Sequence, residues 1–188
     1  MTTTLDQTTE SISERGITVP QPGVRLPDHP LRLRRVGMGR SLWVVGAHGG
    51  SGESTLASLD DGWAAADHCW PQALLGTPRA CLLVARTSAS GLESARSALQ
   101  QWAAGAAGHV DLLGLVLIAD APGKLPRPLR ELADLVTGGA PRAWRLPWID
   151  LWRCGEPATA TSPAAVRSLV SDLQTLTKTI SPDNTPSR

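Results

Sequence analysis

The chain has 188 residues, 41% of them hydrophobic and 19% charged, with 18 Lys or Arg against 17 Asp or Glu. That length suits one domain with tails and leaves little room for two full ones, and the balance excludes a disordered or fibrous chain. A formal net charge of +1 gives no long-range field toward nucleic acid or an anionic membrane, so direct DNA binding is not indicated.

Residues 1–30 are rich in Thr, Ser, Pro and acidic side chains without apolar periodicity, which predicts a flexible tail. The opening MTTTLDQTTE has neither the basic start nor the apolar run of a secretory leader, and no stretch approaches the roughly 18 apolar residues of a membrane span. Next, LRLRRV (31–36) alternates apolar and basic residues, as a short edge strand does when its arginines face water. The cluster Arg32, Arg34, Arg35 and Arg40 is expected to be a solvated charge run rather than a nucleic-acid patch. Arginine outnumbers lysine 16 to 2, a bias that GC-rich bacterial coding produces.

From residue 41 strands and helices alternate. SLWVVGA (41–47) is followed by a glycine loop and STLASL (54–59), and RACLLVA (79–85) by SGLESARSALQQWAA (90–104). DLLGLVLIAD (111–120) precedes RPLRELADLV (127–136), and AWRLPW (143–148) precedes SPAAVRSLVSDLQTLTKTI (162–180). The strand segments are continuous apolar runs, the pattern of a parallel sheet covered on both faces, so the expected fold is a doubly wound, mostly parallel α/β sheet flanked by helices. In the second helix Leu92, Ala95, Leu99, Trp102 and Ala103 recur at helical spacing, and Ser90 with Glu93 has the spacing of a capping box. Ser162-Pro163 offers a capping hydroxyl and a first-turn proline ahead of Val166, Leu169, Val170, Leu173 and Leu176. SPDNTPSR (181–188) reads as a second tail, leaving residues 31–180 as the domain.

The chain has seven Trp and neither Phe nor Tyr, so tryptophan supplies all aromatic bulk. The cysteines Cys69, Cys81 and Cys154 are odd in number and far apart, which disfavours a disulfide framework or a metal knuckle and predicts a reducing, cytoplasmic setting. His68 beside Cys69 lacks the spacing of a structural metal pair.

The chemistry is concentrated in one loop. The strand SLWVV runs into Gly46-Ala47-His48-Gly49-Gly50-Ser51-Gly52-Glu53-Ser54-Thr55 and then into a helix. A phosphate cradle requires that order: glycines let backbone N–H groups converge on an anion, a helix start adds positive dipole, a lysine grips the outer phosphates and a hydroxyl meets magnesium. HGGSGEST (48–55) resembles the deviant loop K-G-G-x-G-K-[ST]-T of the ParA/MinD group of P-loop ATPases. The resemblance covers about residues 41–180 by pattern and is specific only in the loop; the chain is truncated relative to full members of the group.

The resemblance implies a phosphate site at Gly49, Gly50, Ser51, Gly52, Ser54 and Thr55, with Ser54 as magnesium ligand and ATP or GTP as the nucleotide. Both lysines are replaced, the signature one by His48 and the phosphate-gripping one by Glu53. A carboxylate a few ångströms from a triphosphate repels it by roughly several kcal/mol, and nothing in the loop restores the missing cation. The stretch of about 25 residues between Thr55 and Cys81 is expected to hold a helix and a connection, hardly the two strands that the ATPases place there.

Arg86 leaves its strand at the carboxyl end, where open α/β sheets bind ligands, and is expected either to pair with Glu53 or to stand exposed. Asp120 ends an apolar run as a Walker B aspartate does, yet its place in the winding order puts it beside the base or away from the ligand. Pro147 and Trp148 are base-proximal by the same resemblance, Trp148 alternatively packing in the core. Three functions compete: a module that holds nucleotide weakly without turnover and acts through a protein partner or as a homodimer in plasmid or mobile-element partition, positioning or transfer; an active ATPase using His48 or Arg86 for lysine and Asp120 for magnesium; and a ligand-free interaction domain.

Overall fold

A computed structural model describes residues 11–12, 18–19, 21–73, 79–156 and 163–180. In chain order the strands and helices are β1 (Ser11–Ile12), β2 (Thr18–Val19), β3 (Arg32–Val36), β4 (Leu42–Gly46), α1 (Glu53–Ala57), β5 (Trp63–Ala65) and β6 (Cys69–Ala73). There follow β7 (Arg79–Arg86), α2 (Ala89–Ala103), β8 (Val110–Ile118), α3 (Arg127–Gly138), β9 (Ala143–Leu146), α4 (Asp150–Arg153) and α5 (Ala164–Ile180). The main sheet has five strands in the order β5-β4-β7-β8-β9, and every pairing in it is parallel. Two small pairs lie apart from it, β1 antiparallel to β2 and β3 parallel to β6.

The apolar runs are two interleaved rows. Trp43 and Val45 of β4, with Cys81, Leu83 and Ala85 of β7, face a core shared with Leu92, Ala95 and Leu99 of α2 and Val136 of α3. Leu42, Val44, Leu82 and Val84 face the opposite core with Leu56 of α1 and Val166, Leu169 and Leu173 of α5. Both faces are therefore dry, which is why these strands show no polar alternation. In β8 the rows would fall out of phase but for an irregularity: Cys81 pairs with Leu112, and Leu82 already pairs with Gly114. The extra residue returns Leu115 and Leu117 to the α2 side and Val116 and Ile118 to the α5 side, the phase change a bulge produces.

Several expectations change. Between Thr55 and Cys81 the chain fits two strands, β5 and β6, because they are three and five residues long and join through Asp67 and His68, both at positive φ (53° and 54°). β3 is an edge strand, yet Leu33 is 53% exposed, so its alternation does not bury the apolar row. The cap of α2 is Ser88, whose Oγ accepts from Gly91 N at 3.1 Å; Glu93 pairs with Arg96 on the exposed face instead of closing a box with Ser90. Residues 21–30, expected within the tail, lie with Leu31 along α2: Gln21 N donates to Ala103 O (2.7 Å), Gln100 Nε2 to Arg25 O (2.7 Å) and Ser97 Oγ to His29 O (3.2 Å). The capping role of Ser162 and the tail 181–188 fall outside the described residues. Among the described residues no helix is long and apolar enough to cross a membrane.

The winding direction reverses between β4 and β7. From β4 the chain adds β5 on one side; from β7 it adds β8 and β9 on the other. Loops leaving the carboxyl ends of β4 and β7 therefore diverge and leave a crevice between them, the place where open α/β sheets take ligands.

Candidate functional site at the reversal of the sheet

The glycine loop of residues 47–52 fills the β4 side of this crevice. Ala47 N donates to Val84 O at 2.9 Å and ties the loop start to β7. Gly50 and Gly52 have φ of +73° and +99°, a region that costs L-residues with a Cβ and that glycine enters freely. Among the described residues the amides of Gly49, Gly50, Gly52, Glu53 and Ser54 find no acceptor. Alternating left- and right-handed residues with unspent N–H groups form an anion-binding concavity. The expected dipole support is small, since α1 is only five residues long.

Glu53 does not face the crevice. It is 5% exposed, and its Oε1 accepts from Ala66 N at 2.9 Å and His68 N at 3.2 Å. Its Oε2 meets His68 Nδ1 at 2.9 Å. The positive-φ residues Asp67 and His68 turn these donors onto the carboxylate, so local strain is offset by charge-assisted hydrogen bonds. The expected Glu53–Arg86 pair is thereby corrected: the carboxylate is saturated by the β5–β6 turn, on the far side of β4 from β7. Ser51 lies in the same pocket, 1% exposed, with no partner for its Oγ; its hydroxyl is turned inward, whereas Ser54 is exposed and Thr55 half-buried.

Gly46 makes this pocket possible. A Cβ there would lie 2.5 Å from His68 Nδ1, 2.6 Å from Ser51 Oγ and 2.8 Å from Glu53 Oε2, all under contact distance. Gly46→Ala is expected to destabilise the fold by about 2 kcal/mol through overpacking, measured by urea denaturation; an unchanged midpoint would show that the carboxylate pocket yields freely.

His48 and Arg86 brace the loop from the β7 side. His48 Nε2 accepts from Arg86 N at 3.1 Å, and Nδ1 lies 2.8 Å from Gly49 O. A carbonyl requires an N–H and a backbone N–H requires a lone pair, which fixes the ring as the neutral Nδ1–H tautomer. In this arrangement His48 supplies a fixed strut and no cation. The Arg86 guanidinium donates from Nε to Gly50 O (3.3 Å) and from Nη1 to Ala119 O (2.9 Å). Burial lowers its pKa from the usual guanidinium value, with Asp120 raising it and Arg153 lowering it further.

Beside the loop is a cavity of about 280 Å³ whose walls include Gly50, Arg86, Asp120, Trp148, Trp152 and Arg153. Asp120 follows β8 and accepts from Thr87 Oγ1 at 2.7 Å. Trp148 belongs to neither core; it is half-buried in the cavity wall, and its Nε1 donates to Asp150 Oδ1 at 2.7 Å. Pro147 is exposed and does not reach the cavity. Of the expected residues, then, the fold gathers Gly50, Arg86, Asp120 and Trp148 at one cavity and sends Glu53 and Ser51 beneath the loop.

Sequence reasoning overlooked Thr87, Trp152 and Arg153 and weighed His68 only as a metal ligand. Trp152 carried no usable signal: it stands four residues after Trp148, but Trp148 precedes α4, so the spacing is not that of one helical face. His68 carried none, because its partner lies across β4 and β5. Magnesium fits this site poorly: Ser54 stands alone and exposed, Asp120 is bonded to Thr87 and faces Arg86. No group of three His, Cys, Asp or Glu side chains suited to a metal occurs among the described residues.

Residues 40–170 match a family of unknown function (DUF6668). The chain belongs to that family. The matched span of this DUF6668 chain holds the glycine loop, Glu53, His68, Arg86 and every wall of the cavity, and excludes β3 and the strap of residues 21–31. No curated protein and no solved structure matches the chain.

Proposed function

We propose that this DUF6668 chain is a nucleotide-binding module without turnover, a degenerate relative of the ParA/MinD ATPases that holds ATP or GTP weakly. One observation carries this reading: at the reversal of a parallel sheet, a glycine loop keeps a row of unspent amides, and both positions where the ATPases have lysine are committed elsewhere. His48 is a neutral strut, and Glu53 is bound to the β5–β6 turn. Amides without a lysine bind an anion and leave transition-state charge unmatched, a deficit worth orders of magnitude in phosphoryl transfer. A module of this kind acts through what its bound state presents to a protein partner or a second copy. By analogy with the ATPases its setting is plasmid or mobile-element partition, positioning or transfer.

Titration of the purified chain with fluorescent ATP and GTP, with phosphate release followed in parallel, tests the proposal. Saturable binding with phosphate release at background is the expected result. Sustained turnover would make the chain an ATPase, and no binding at any concentration would leave an interaction domain with an inherited turn.

A further inference from the structure

Resting on that reading of the loop, we infer that the site takes a nucleoside monophosphate without a divalent cation, its phosphate between Arg86 and Arg153 against the Gly50 end of the glycine loop and its base beside Trp148 and Trp152. The cavity wall carries two arginines, Arg86 and Arg153, and one carboxylate, Asp120, which acts on Arg86; Arg153 forms no ion pair with an acid among the described residues. Two like charges converging on a concave wall are unfavourable until an anion arrives between them. Arg86 keeps N–H groups beyond the two it spends on Gly50 O and Ala119 O, and guanidinium forks suit phosphate oxygens.

Charge decides how many phosphates fit. A phosphate monoester carries about −1.5 to −2 near neutral pH, which the cavity's one surplus positive charge and the loop's N–H dipoles match. The heavier charge of a triphosphate calls for the lysine and magnesium of the ATPases. Here the lysine position is a carboxylate tied to His68, and a divalent cation would meet two guanidiniums and one engaged aspartate. Size agrees, since about 280 Å³ lies at the small end of ligand cavities. In the same wall the half-buried indole of Trp148 belongs to neither core and offers a π-face on which any base stacks, and Trp152 beside it is backed by the α5-side core.

The test is calorimetric titration of the whole chain with AMP, GMP, ADP and ATP, each in magnesium chloride and in EDTA, on wild type and on Arg153→Ala. The expected result is monophosphate binding at least as tight as triphosphate and within about twofold in the two buffers. Arg153→Ala should weaken monophosphate by about tenfold or more, the loss of one charge-assisted contact. Its melting temperature should stay unchanged, because Arg153 is exposed. Triphosphate binding that magnesium strengthens past the monophosphates would overturn this inference and leave the nucleotide module standing. So would an Arg153→Ala variant that binds monophosphate as wild type does. Absence of any nucleotide binding would remove both.

Discussion

Glu53→Lys, which places a lysine where the ParA/MinD loop that this one resembles has one, is expected to destabilise the chain by about 4 kcal/mol and to yield no phosphate release. The lysine would inherit a pocket built of donors. Ala66 N, His68 N and His68 Nδ1 all converge on the carboxylate, and an ammonium has no lone pair to offer them. Breaking a buried ionic contact from one side costs about 3–5 kcal/mol, because donors and a new charge are left uncompensated. For a chain of this size the melting temperature should fall by about 10 °C. Glu53→Gln keeps an acceptor for the Ala66 and His68 amides and should lose only about 1–2 kcal/mol. Differential scanning calorimetry of the two variants decides the matter. A lysine variant that melts with wild type would mean that the β5–β6 turn does not depend on the carboxylate, and a lysine variant that turns over ATP would mean that the loop is an ATPase lacking only its cation.

The second large effect lies away from the site. Gln101, 3% exposed, is the junction of three segments. Its Oε1 accepts from Leu31 N at 2.8 Å and Trp70 Nε1 at 3.0 Å, and its Nε2 donates to Leu31 O at 2.8 Å and Ala106 O at 3.1 Å. Gln101→Leu keeps the volume and orphans all these groups. Buried polar groups without partners cost about 1–3 kcal/mol each, and with partial relaxation the net loss should be about 4 kcal/mol. The strap of residues 21–31 should loosen first, since Leu31 loses both backbone partners. Urea denaturation measures the first effect, and the rate of trypsin cleavage at the exposed Arg25 and Arg32 measures the second. Cleavage no faster than in wild type would show that Gln21, Ser97 and Gln100 hold the strap unaided.

The main sheet was legible because its signal is local. An aliphatic run of the length of 79–85 or 111–120, bounded by glycine, proline or polar residues, has few other ways to shed water than as a covered parallel strand. The apolar face of α5 was legible for a related reason: Val166, Leu169 and Leu173 keep helical spacing whatever they pack on. The cap of α2 slipped by two residues, from Ser90 to Ser88, because neighbouring serines offer equivalent hydroxyls and only the backbone turn after β7 selects between them. The separate β3–β6 pair was not legible, since no pattern in either strand names the other as neighbour.

The candidate site divides along the same line. By itself the sequence determined that a glycine loop follows the first covered strand, that positions 48 and 53 hold His and Glu where the ParA/MinD loop it resembles has lysine, and that Arg86 and Asp120 each close an apolar run. Those are facts of residue type and order. Which way each charge points was decided only in three dimensions. From sequence Glu53 and Arg86 are opposite charges near one loop, and attraction predicts a pair. The fold instead places β5 on one side of β4 and β7 on the other, so the two charges are drawn apart. Glu53 goes to the donors of the Ala66–His68 turn and Arg86 to the carbonyls of Gly50 and Ala119, because a buried charge is held by the donors or acceptors that the backbone brings within hydrogen-bond reach, and their place in the chain does not matter.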